Sequence, residues 1–180
     1  MSIRRPLNLK KWIDENRHLL KPPVGNKVVY EDADFIVMIV GGPNSRKDYH
    51  YNESEEFFFQ LEGNIAVKIQ EDGKAVTVPI NEGEIFLLPP KVPHNPMRGM
   101  NTVGLVMESK RRENEEDGLL WFCENCNEKL FERKFKLTNI TTQFQETFNY
   151  FYNNLDLRTC KKCGHIMEPP VATEKKESSH

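Results

Sequence analysis

From Lys27 to Glu108 the chain is a succession of short runs rich in β-branched and aromatic residues: KVVY, FIVMIV, EFFFQL, IAVKIQ, AVTVPI, EIFLL and TVGLVME. Turn signals punctuate them at Glu31-Asp32, Gly41-Gly42-Pro43, Glu62-Gly63-Asn64, Glu71-Asp72-Gly73 and Asn81-Glu82-Gly83. Many short strands so separated predict an all-β fold, an antiparallel sandwich or barrel. Asp72-Gly73 is the clearest hairpin turn, because both residues tolerate the left-handed conformation that a two-residue hairpin demands.

The flanks read differently. Asn8 is a plausible N-cap for a short amphipathic helix with Leu9, Trp12, Ile13 and Leu20 near one face, and Lys21-Pro22-Pro23 stops it. After Glu108 comes the charged run Ser109 to Gly118, read as a solvated segment and as the boundary of the barrel. Order resumes at Trp121-Phe122-Cys123. KLFERKFKL then alternates like a strand, and Asn139 to Asn154 predicts a helix with Phe144, Phe148 and Phe151 or Tyr152 on one side, a stripe suited to core or to a dimer contact. The division is a lead-in and helix over 1–25, a barrel over 26–110, a metal-bound appendage over 111–170 and a disordered tail over 171–180.

A chain of 180 residues is long enough for one domain with a sizeable core and a small appendage. Its formal charge of -2 supplies no basic field for nucleic acid. No apolar run is long enough to span a bilayer, and Met1 to Pro6 does not resemble a signal peptide, so a cytoplasmic location is expected.

His50, Glu56 and His94 are the candidate metal ligands. Strand side chains alternate faces, so His50 and Glu56, an even number of residues apart, can face one interior if Asp48 to Tyr51 and Glu56 to Gln60 are neighbouring strands joined by Asn52-Glu53-Ser54. His94 arrives from another strand, after the stiff Pro89-Pro90-Lys91-Val92-Pro93. Two imidazoles and a carboxylate form the ligand set of a mononuclear non-haem iron(II) site with open positions. Glu55 competes with Glu56, but Glu56 keeps the even offset from His50. His18 and His165 read as structural or exposed, and His180 lies in the tail.

Arg46 and Arg98 each stand four residues from one of these histidines, and forked guanidiniums of that kind bind carboxylates bidentately. Glu108 ends an apolar strand, where a buried carboxylate needs a partner, either Arg98 or a substrate amino group. Asp48 is cast as an acceptor that orients Arg46 or a ligand histidine. The cysteines fall in two pairs, Cys123-Glu-Asn-Cys126 and Cys160-Lys-Lys-Cys163, with none left over. Two such knuckles complete a tetrahedral thiolate site for structural zinc or iron, against the alternatives of disulfides or a redox pair.

The spacing Gly42-x5-Asp48-x-His50-x5-Glu56-x6-Gly63, followed by Gly83-x5-Pro89-x4-His94-x3-Arg98, resembles the paired motifs of the cupins. Asp48 departs from the histidine that many cupins place there, and Arg98 from their Asn. The blocks MIVGGPNSRKDYH, EEFFFQLEG and LLPPKVPHNPMR, with the late double CxxC, resemble the 3-hydroxyanthranilate 3,4-dioxygenase family from about Leu9 to Met167. The resemblance implies a double-stranded β-helix barrel with a rubredoxin-like appendage, iron(II) on His50, Glu56 and His94, and a homodimer. It further implies 3-hydroxyanthranilate and O2 as substrates, bound by Arg46, Arg98, Glu108 and Glu56, with ring opening to 2-amino-3-carboxymuconate semialdehyde on the route from tryptophan through quinolinate to NAD. Another metal-dependent cupin acting on a small carboxylated ligand, or a non-catalytic binding cupin, is the alternative.

Overall fold

A computed structural model of the chain describes residues 3–22, 25–30 and 33–170. The turn expected at Glu31-Asp32, the helix stop at Pro23 and the tail from 171 to 180 lie outside the described residues. Two antiparallel sheets face each other. In spatial order, the first contains β1 (Asn26–Val28), β2 (Phe35–Gly41), β9 (Val103–Ser109), β4 (Glu56–Glu62) and β7 (Ile85–Leu88). The second contains β11 (Lys129–Phe135), β10 (Asp117–Phe122), β3 (Tyr49–Tyr51), β8 (His94–Arg98), β5 (Ile65–Glu71) and β6 (Lys74–Ile80). This is the expected jelly-roll barrel of the cupin type, and the Asp72-Gly73 hairpin joins β5 to β6 with both residues at positive φ, 49° and 74°.

Alternation decides what enters the barrel. In β4, Glu56, Phe58 and Gln60 are buried while the residues between them are partly exposed. Phe58 packs with Ile65, Val67, Ile80, Leu88 and Val106. Burying each such side chain contributes about 1.5–3 kcal/mol relative to leaving it exposed. The polar residues of the same face are thereby carried into an apolar interior.

Three expectations need correction. β3 and β4 are not neighbours: β3 pairs with β8 and β10, whereas β4 pairs with β7 and β9 in the other sheet. Asn52 to Ser54 therefore carries the chain across the barrel, and His50 meets Glu56 from the opposite wall. Next, the run 109–118 is not all solvated. Asp117 is buried and the Arg111 side chain is only 9% exposed, and β10 begins at Asp117 and pairs with β3, so the second sheet continues across the boundary expected after residue 110. Finally, helix α1 (Leu9–Asn16) does not run as α-helix to the prolines but tightens into a 3-10 turn over Arg17–Leu19, just after Asn16, whose side chain donates to the Trp12 carbonyl at 2.7 Å and competes with the backbone ladder. Asn8 caps α1 as expected, and Ile13 and Leu20 pack on Ile39 and Val103.

A second core lies beyond β10. Leu119 and Trp121 pack against Phe144 and Phe151 of α2 (Ile140–Tyr152) and against Met167, with Trp121 stacked on Phe151 at 4.3 Å. The aromatic stripe of α2 is thus core. No helix among the described residues is long and apolar enough to cross a membrane.

Candidate metal and substrate site

His50 on β3 and His94 at the start of β8 are direct cross-strand partners, and their rings lie 5.3 Å apart. Glu56 comes from the first sheet, and its Oε2 is 3.0 Å from His94 Nε2. One donor atom from each of the three residues falls within 4.8 Å of the others. Glu55 is exposed, which decides between the two adjacent carboxylates.

The donors are oriented by their neighbours. His94 Nδ1 donates to the Val92 carbonyl at 3.0 Å, which fixes the tautomer and leaves Nε2 for Glu56 or a metal. Burial lowers the basicity of His94, but the adjacent Glu56 outweighs this and holds its pKa above the usual value. His50 Nε2 donates to Asp117 Oδ2 at 2.7 Å. Burial alone would raise Asp117, but its hydrogen bonds with Arg111 and His50 bring it down to about 2, so its carboxylate is ionised and accepts.

A second carboxylate stands beside the first. Glu56 and Glu108 are cross-strand partners on β4 and β9, an arrangement that places like charges side by side in the interior. The Asn52 amide separates them, donating to Glu56 at 3.4 Å and to Glu108 at 3.2 Å. Burial, followed by repulsion from Glu56, raises the pKa of Glu108. Among the described residues its partner is not Arg98 but Arg111, whose Nη1 lies 2.8 Å from Glu108 Oε2.

The two arginines differ. Arg98 is 4% exposed, and among the described residues the only side-chain acceptor of its guanidinium is Gln60 Oε1 at 3.4 Å. No carboxylate among the described residues lies within ion-pair distance of it, and burial lowers its pKa to about 10. Arg46 is already neutralised by Asp48, as expected, and its side chain is 42% exposed. It stacks on Phe144 and Phe148 of α2, with its guanidinium carbon 5.5 and 5.6 Å from the ring centroids, and Phe144 in turn lies 5.5 Å from the His50 ring.

The donor chemistry fits metal. Two donors about 2.1 Å from one ion in neighbouring octahedral positions stand about 3 Å apart, as Glu56 and His94 do. The four cysteines also converge: Cys123 and Cys163 sulfurs are 3.6 Å apart, as are those of Cys126 and Cys160. Tetrahedral zinc–sulfur bonds of about 2.3 Å predict nearly that separation, whereas a disulfide needs about 2.05 Å.

The family model for 3-hydroxyanthranilic acid dioxygenase matches residues 1–152. The chain belongs to the 3-hydroxyanthranilic acid dioxygenase family. It is 56% identical over 165 residues to a protein of Xanthomonas campestris pv. campestris named 3-hydroxyanthranilate 3,4-dioxygenase, covering 92% of this chain and 93% of that one. A protein of the same name from Bacillus thuringiensis is 48% identical over 171 residues, covering 94% and 96%. Among solved structures, a cupin-2 domain protein from Shewanella frigidimarina aligns at a TM-score of 0.47 and 17% identity, over 58% of this chain and 94% of that one.

Membership in the 3-hydroxyanthranilic acid dioxygenase family makes the chain a dioxygenase. Reading the sequence missed Asn52, Arg111 and Asp117. Asn52 sat in an apparent turn, and the other two in a charged run. The one available signal was Asp117-Gly118-Leu119-Leu120-Trp121-Phe122, an apolar strand whose first residue is acidic.

Proposed function

We infer that the protein opens the aromatic ring of 3-hydroxyanthranilate with O2, giving 2-amino-3-carboxymuconate semialdehyde, with iron(II) held by His50, Glu56 and His94. The observation that carries this reading is the buried Arg98 beside that triad, with no carboxylate of its own among the described residues. A buried guanidinium without a counter-ion favours a carboxylated ligand, and a planar fork suits it bidentately. Iron(II), when bound, would supply open coordination positions and Lewis acidity for a chelating substrate and O2.

The chain's own residues do the rest. Arg98 binds the substrate carboxylate, and Arg46, shared with Asp48, assists from the mouth. Glu108 faces the amino side, where its raised pKa suits it to accept a proton. Phe58 and the surrounding barrel residues exclude water. The semialdehyde closes to quinolinate without a catalyst, which would set the protein on the route from tryptophan to NAD.

The Cys123, Cys126, Cys160 and Cys163 cluster would hold a second, structural zinc or iron, since four thiolates leave no vacancy for substrate. Four unpaired cysteines favour a reducing compartment such as the cytoplasm. A homodimer is supported by the outer face of the first sheet. There Phe57 pairs with Leu87 and Met107, Phe59 with Ile85 and Leu105, and Ile85 and Leu87 are 66% and 52% exposed.

The test is O2 uptake by apo-protein loaded anaerobically with Fe(II), with 3-hydroxyanthranilate as substrate and a zinc-loaded control. Stoichiometric uptake with iron alone, together with the absorbing semialdehyde, is expected. No uptake by protein shown to hold iron at the triad would overturn the substrate assignment.

A further inference from the structure

We propose that Arg111 is a positioning residue for this reaction, one guanidinium that fixes both the carboxylate paired with His50 and the carboxylate of Glu108. The proposal rests on the dioxygenase reading above. The Arg111 side chain is 9% exposed and every nitrogen of its fork is engaged. Nε donates to Asp117 Oδ1 and Nη2 to Asp117 Oδ2, each at 2.7 Å. Nη1 pairs with Glu108 Oε2 at 2.8 Å and reaches the Ser109 carbonyl at 3.3 Å. Asp117 Oδ2 is also the oxygen that accepts from His50.

The result is a continuous chain from Glu108 through Arg111 and Asp117 to His50. Among the described residues no other arginine or lysine pairs with either carboxylate. Glu108 also faces Glu56 across the sheet, and Asp117 is fully buried. Removing Arg111 would leave two interior carboxylates without a cation. They would rotate or protonate, and the His50 ring and the amino side of the substrate site would move with them. Lysine cannot replace the residue, because one ammonium on a flexible stem lacks the planar fork that grips two carboxylates in fixed directions.

Groups that orient a metal-binding histidine typically change metal affinity or activity about 10- to 100-fold when altered. The experiment compares Arg111→Lys, Arg111→Met, Asp117→Asn and Glu108→Gln with the natural protein. It measures Fe(II) affinity by competition with a chelator, kcat per bound iron, KM for 3-hydroxyanthranilate and thermal stability.

Both Arg111 variants are expected to bind Fe(II) about 10- to 100-fold more weakly and to raise KM. Asp117→Asn should share the first defect and Glu108→Gln the second. If Arg111→Met does not fold, Arg111→Lys decides. Iron affinity and KM equal to the natural protein's in Arg111→Lys, with only the melting temperature lowered, would overturn the proposal and reduce Arg111 to a buttress. A natural protein that binds iron yet opens no ring would instead overturn the functional reading, and the iron-affinity comparison would still judge Arg111.

Discussion

Gly104 lies directly beneath the Arg98 guanidinium: a Cβ built on it would stand 2.8 Å from Arg98 Nη1 and 2.8 Å from Gln60 Oε1. The glycine is there for space, since its backbone lies in β9 with no positive φ. Gly104→Ala should leave the barrel folded while displacing Arg98. Shifts of about 1 Å at a reacting centre cost about 100-fold, so kcat/KM should fall by about that factor. Steady-state kinetics beside a melting curve will check it, and unchanged kinetics would remove Arg98 from carboxylate recognition.

Arg98 and Arg46 should not be equivalent. Arg98 is buried without a counter-ion among the described residues, whereas Arg46 is half exposed and already paired with Asp48. Loss of a desolvated charge pair costs about 2–5 kcal/mol, and loss of an exposed one about 1 kcal/mol or less. Arg98→Met should therefore lower kcat/KM at least about 30-fold, and Arg46→Met about fivefold or less. The reverse order would place the carboxylate at the mouth.

The cysteine cluster should contribute to stability and not directly to turnover. Cys160 is 1% exposed and supplies one of four convergent sulfurs. Cys160→Ser should remove one metal per chain and lower the melting temperature by about 10 °C or more, given about 2–4 °C per kcal/mol in a chain of this size. Elemental analysis with calorimetry will test both. Retention of the second metal would show that three thiolates suffice.

Acid should loosen the N-terminal helix before the barrel. Arg17, just past α1, makes two hydrogen bonds to Glu62 at the end of β4, at 2.8 and 2.7 Å. The hydrogen bond from Arg17 is the main cause that holds the Glu62 pKa below its usual value. A depressed folded-state pKa means the stabilisation is present above the unfolded value of about 4.3 and is lost as pH falls through the folded one. Because the Arg17 and Glu62 side chains are 44% and 38% exposed, it amounts to at most about 1 kcal/mol. Urea unfolding of Glu62→Gln should differ from the natural protein at pH 7, and the difference should shrink steadily on acidification below pH 4.3.

The apolar outer face gives a further variant. Ile85→Asp places a charge in the row Ile39, Leu105, Phe59 and Ile85 of the first sheet. If a second copy covers that face, sedimentation should report a monomer with the barrel intact. A variant that remains dimeric would move the interface elsewhere.

The strands, the Asp72-Gly73 hairpin and the Asn8 cap were legible because alternation, turn and capping chemistry are local. The three candidate ligands were instead named from motif spacing, on the assumption, corrected by the fold, that β3 and β4 are neighbours. What the sequence concealed was long-range. Whether Tyr49–Tyr51 joins the sheet of β4 or the opposite one depends on pairings with β8 and β10, which no local pattern records. Arg111 and Asp117 were hidden in a run whose other charged members are mostly exposed, and withdrawal of two charges from solvent inside such a run follows only from their mutual fork. Glu108 was legible as a buried carboxylate, but its true partner stood three residues on, across a bend.

β10 begins at Asp117, which grips His50, and ends at Phe122, next to Cys123 of the first knuckle. One six-residue strand thus ties both candidate metal centres together. A shortened chain ending near residue 110 would expose the edge of β3 and strip His50 of its anchor, so the catalytic barrel is not a detachable minimal unit. Any engineered fusion, graft or permutation must carry the knuckles along with it.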